Sequence, residues 1–88
     1  MHKIEMLVSV YCRGQELKRT DFRAIKEFGF IPNKDVVFDL DVIELIIDGL
    51  TYFWDGQFLC IVFKDVVVTK NEYESTIQDF LTRGWDQV

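Results

Sequence analysis

From Ile4 to Cys12 the chain alternates with a period of two. Ile4, Met6, Val8, Val10 and Cys12 fall on one side and Glu5, Leu7, Ser9 and Tyr11 on the other, the pattern of a strand with one buried face. Arg13-Gly14 ends it. The pattern then changes to helical spacing: Phe22, Ile25 and Phe28 would share one face, with Arg19, Arg23 and Lys26 opposite. Thr20 suits an N-cap, Asp21 a first turn and Gly29 a C′ position, so a helix is predicted over 21–28, stopped by Phe30 and Pro32.

Two Asp-Gly pairs, Asp48-Gly49 and Asp55-Gly56, interrupt the most apolar stretch. Such pairs between apolar runs favour two-residue hairpin turns, because the turn needs positive φ. They predict a three-stranded meander. Residues 36–47 form its first strand, on their β-branched density, although Asp41, Glu44, Ile43, Ile46, Ile47 and Leu50 also fit a short capped helix. A turn at Asp55-Gly56 pairs Trp54 with Gln57, Phe53 with Phe58, Tyr52 with Leu59 and Thr51 with Cys60. Both faces of that hairpin are largely apolar. Asp65 predicts a bulge before Val66-Val67-Val68.

The last element is a helix with Thr69 and Glu72 as a capping box, Tyr73, Ile77, Phe80 and Leu81 as its apolar stripe and Gly84 as its C-cap. Trp85 falls where a contact back onto the last turn is expected. The whole predicts one α+β domain over residues 1–88, with two helices on one face of a mostly antiparallel four-stranded sheet.

Composition excludes disorder: 49% of the 88 residues are hydrophobic and 15% aromatic. Net charge is −5, and its distribution matters more than its sum. Residues 1–35 carry seven basic against five acidic side chains, residues 36–69 one against six. The acidity therefore belongs to the meander, which disfavours direct attraction to nucleic acid or anionic membranes. Fifteen Asp/Glu against ten Lys/Arg is a weak excess for a DNA mimic.

No constellation for catalysis emerges. The single His2 is a poor base near the terminus, and Cys12 and Cys60 fall on apolar alternation faces as core thiols with no metal spacing. Asp39, Asp41 and Glu44 lack the cadence of a calcium loop. Two cysteines outside any disulfide framework and the absence of a long apolar run point to a cytoplasmic protein without cofactor.

These features favour a small binding module that acts by association, in the manner of an inhibitor, immunity protein, antitoxin or phage-type accessory protein. Tyr52 and Trp54 are the expected anchors, and Asp39, Asp41, Glu44 and Asp55 the charges that steer a basic protein partner. A homo-oligomeric accessory subunit, such as a homo-dimer burying the same face, and a DNA-mimic inhibitor are the alternatives.

Overall fold

In the computed structural model, which describes residues 2–29, 33, 37–39, 43–52 and 58–88, β1 (His2–Cys12) turns at Arg13-Gly14 into β2 (Gln15–Phe28). Gly14 has φ +80°, a conformation that L side chains disfavour. The helix expected over 21–28 is thus a strand. Val8 faces Phe22 and Met6 faces Ala24 across an antiparallel ladder, and all four are buried, while Ile25 is 41% exposed. An isolated eight-residue helix is marginal in water. Pairing with β1 satisfies the same backbone and buries Phe22 and Ala24 at period two.

The meander exists, but its first reversal is not at Asp48-Gly49. It comprises β3 (Val37–Asp39), β4 (Glu44–Tyr52) and β5 (Phe58–Phe63), each antiparallel to the next. The second reading of 36–47, a short helix, is overturned where the chain is described. Asp48-Gly49 is a bulge inside β4 rather than a hairpin turn: Ile47 pairs with Phe63, but Gly49 pairs with Val62. The extra residue has a packing cause. Leu45 and Ile47 are buried at odd positions, and Leu50, at an even one, packs against the same core. Strict alternation would turn Leu50 outward, and one inserted residue resets the parity.

The same device recurs after β5. Ile61 and Phe63 point inward, as does Val68 in β6 (Val66–Val68), and the partner offset along β1 grows by one residue between Leu7↔Val62 and Val10↔Val66. The bulge expected at Asp65 is there. Both β5 and β6 run parallel to β1.

After β6 come α1 (Lys70–Thr82) and β7 (Asp86–Gln87), which pairs with Phe22 and Arg23 of β2. Among the described residues the sheet therefore has seven strands, in the order β3-β4-β5-β1-β2-β7 with β6 beside β1. This corrects the α+β expectation. The protein is mostly β, its sheet is mixed rather than four-stranded and antiparallel, and among the described residues there is one helix.

α1 follows its expected course with two differences. Thr69 is the N-cap residue, but its side chain makes no capping bond, and the Glu72 N–H instead donates to the Thr69 carbonyl. Leu81 is 39% exposed, and Thr76 takes its place among the buried residues. At the other end Gly84 has φ +90°, its N–H donates to the Leu81 carbonyl, and the Trp85 N–H donates to the Phe80 carbonyl. This is a complete Schellman ending, with Trp85 packed on Phe80 (ring centroids 5.4 Å).

The inner face is closed by curling as well as by the helix. β3 and β2 lie four strand spacings apart, about 19 Å on a flat sheet, yet the rings of Phe38 and Phe28 are 5.9 Å apart. Phe38 also meets Phe63 (5.2 Å), Phe63 meets Trp85 (6.4 Å), and Phe80 stacks on Phe22 (4.8 Å). Six aromatic rings thus run from one end of β2 through β3, β5 and α1 back to β2. Among the described residues no buried side-chain nitrogen or oxygen lacks a partner.

Candidate functional site

Because the core lies on the concave side, the odd positions of β1 and β2 and their neighbours form a convex face that no described element covers. It divides into two halves of different chemistry. Over β1 and β2 it is mostly polar and paired within itself, around exposed Ile25. Arg23 Nε donates to Glu5 Oε2, Ser9 Oγ donates to Asp21 Oδ1 at 2.6 Å, and Arg19 reaches both Asp21 (3.3 Å) and the Tyr11 hydroxyl (3.3 Å). The Tyr11 hydroxyl, and after it the Asp21 carboxylate, hold Arg19 more firmly charged. The basic stripe expected along a helix is broken. Arg19 and Arg23 are neutralised on the convex face, and Lys26 stands opposite buried Ile4 on the other.

Over the meander the convex face is apolar with acidic flanks. Val37 and Ile46 face each other across β3 and β4 and are 50% and 45% exposed. Val62, 40% exposed, stands between Gly49 and half-buried Leu7. Exposed Glu44 and Asp48 flank Ile46, and among the described residues neither is in an ion pair. These apolar positions were missed in the sequence. The signal for them was the outward set of each strand, legible once the bulges are placed.

Of the residues expected to bind a partner, Glu44 is exposed at the start of β4, and the Asp39 backbone pairs with it in β3. The Tyr52 backbone stands opposite buried Leu59, as the hairpin register requires, and Thr51 stands opposite Cys60. Trp54, Asp55 and Asp41 lie outside the described residues, as does the Asp55-Gly56 turn.

The two cysteines part company. Cys12 is buried in the core, as expected, whereas Cys60 is half-buried on the convex face and donates to Glu5 Oε1 at 3.7 Å. Burial first, then the charge of Glu5 and its hydrogen bond, push the Cys60 thiol up, against a smaller opposing effect of Arg23. A thiol held protonated is a weak nucleophile at neutral pH. Glu5→Gln removes the raising charge and leaves Arg23, so the Cys60 pKa should fall and its alkylation by iodoacetamide at about pH 8 should quicken several-fold. Mass spectrometry of the modified peptide reads the rate, with Cys12 as the protected reference. An unchanged rate would assign the shift to burial alone.

Among the described residues, no three His, Cys, Asp or Glu side chains converge on a point that could hold a metal ion. No described helix is long and apolar enough to cross a membrane. Comparison of the chain with protein-family models, with curated proteins and with solved structures gave no match.

Proposed function

We propose that this protein works by associating with another protein through the meander half of its convex face. The observation that carries this reading is the uncovered apolar group of Val37, Ile46 and Val62, flanked by the unpaired carboxylates of Glu44 and Asp48. On the other half of the same face Arg19 and Arg23 are held in ion pairs around exposed Ile25, so its charges are already partnered. Exposed apolar area of this kind marks interaction surfaces. Acidic flanks speed encounter with a basic partner, because long-range attraction acts before contact. Asp39, whose backbone the β3–β4 register sets opposite Glu44, extends this reading along the meander. A cytoplasmic setting suits a protein whose Cys12 and Cys60 are both free thiols.

The test is capture by the purified wild-type chain and by a variant carrying Ile46→Lys and Val62→Lys. Both sites are exposed, so thermal stability should change by less than about 1 kcal/mol. Affinity for the captured protein should fall on the order of a hundredfold, about 2.7 kcal/mol, because two ammonium groups must be desolvated in the contact. A partner held equally by both chains would place the interface elsewhere. Sedimentation of the two chains separates a heterologous partner from self-association, in which case the wild type would dimerise and the variant would not.

A further inference from the structure

The bulge at Lys64-Asp65 opens the sheet. The ladder between β4 and β5 ends at the bond from the Lys64 N–H to the Ile46 carbonyl (2.8 Å), after which β6 continues along β1. Beside it lies a groove of about 650 Å³. Ile43 and the three valines of β6 line one wall, and Glu72, Thr76 and Asp79 of α1 line the other.

Backbone and charge together specify the occupant. In a parallel ladder alternate residues of a strand supply the bonds to one neighbour. The Arg13 N–H donates to the Val68 carbonyl at 2.8 Å, which assigns Val66 and Val68 to β1 and turns the N–H and C=O of Val67 toward the opposite edge. A free donor and acceptor on a strand edge are complementary to another extended chain. Every ionisable side chain lining the groove is acidic. Asp79 is already paired with Arg83 at 3.1 Å, which leaves the exposed Glu72 carboxylate as the unneutralised charge.

We propose that this groove takes an extended basic segment of a partner protein. The segment adds as a strand along the free edge of β6, places β-branched or aliphatic side chains against Ile43 and the valines, and lays lysine or arginine on the Glu72 side. This surface is separate from the convex-face group, and neither reading depends on the other.

The test uses the full chain and a fluorescein-labelled peptide alternating lysine and valine, followed by anisotropy. Saturable binding is expected, weakened by added salt. Glu72→Lys, at an exposed position, should weaken it about tenfold or more. Val67→Pro should weaken it comparably by deleting the outward N–H without breaking a bond to β1, with circular dichroism confirming the fold. A peptide alternating glutamate and valine should not bind. Ile46→Lys with Val62→Lys should leave the affinity unchanged, which separates this site from the convex face. The proposal is overturned if the lysine–valine peptide fails to bind, if both groove variants bind it as the wild type does, or if sedimentation shows a dimer that Glu72→Lys dissolves. The last result would make a second copy the occupant.

Discussion

Replacing Phe63 with alanine should cost about 3–5 kcal/mol, the range for a large aromatic lost from a core that cannot collapse around the gap. Phe63 is 2% exposed and touches the rings of both Phe38 and Trp85. It is the ring through which the curled meander meets the end of α1. Edge-to-face pairs contribute about 0.5–1.5 kcal/mol each beyond their buried area, and alanine removes two of them. A domain of this size has total stability on the order of 4–13 kcal/mol, so the variant should unfold at markedly lower urea and melt more than about 12 °C lower. Phe63→Leu keeps most of the volume and should lose roughly half as much. A loss under about 1 kcal/mol in Phe63→Ala would mean that β3 does not lean on the rest of the inner face through Phe38.

The same column of rings explains why one helix suffices. From the sequence, both faces of the hairpin are largely apolar, and that area points to a partner. The structure spends much of it internally. Phe38 on the outermost strand reaches Phe28 on β2, and the sheet's own curvature encloses Leu45, Ile47, Leu59 and Ile61. What stays outside is a smaller group at the outward positions. It contains Ile46 and Val62, and alternation puts Tyr52 in register with a buried residue of β5 rather than with them.

Where local chemistry decides the conformation, the sequence was legible. The alternation of β1, the register of Tyr52 with Leu59 and of Thr51 with Cys60, and the ending of α1 at Gly84 and Trp85 all follow from neighbours a few residues away. Where tertiary pairing competes with a local signal, the local signal misled. Asp48-Gly49 has the composition of a hairpin turn, but Ile47 and Leu50 both pack on the core, and only a bulge serves both. The parallel arrangement of β5 beside β1 depends on contacts more than fifty residues apart, for which no spacing in the chain gives a cue. The site followed the same division: acidity on the meander was readable from charge counts, but which apolar side chains escape burial required the bulges and the curl.

Residues 21–28 allow the sharpest discrimination between those two kinds of information. A helix there turns Ile25 toward the sheet with Phe22 and Phe28; a strand turns Ala24 inward and Ile25 outward. Ala24 is 4% exposed and faces buried Met6, whereas Ile25 faces Glu5 on the convex side. Ala24→Asp should therefore cost more than about 3 kcal/mol, because a carboxylate placed there, opposite buried Met6, loses its hydration. Ile25→Asp, on a solvated face, should cost less than about 1 kcal/mol. The pH dependence carries the sign. Burial raises the introduced carboxyl's folded pKa above its unfolded value near 4, so the penalty is full above that folded pKa and shrinks as the pH falls toward about 4. Urea unfolding of the two variants at neutral and at mildly acid pH reads both effects. A damaging Ile25→Asp beside a tolerated Ala24→Asp would restore the helix, and with it a different face for Arg19, Arg23 and Lys26.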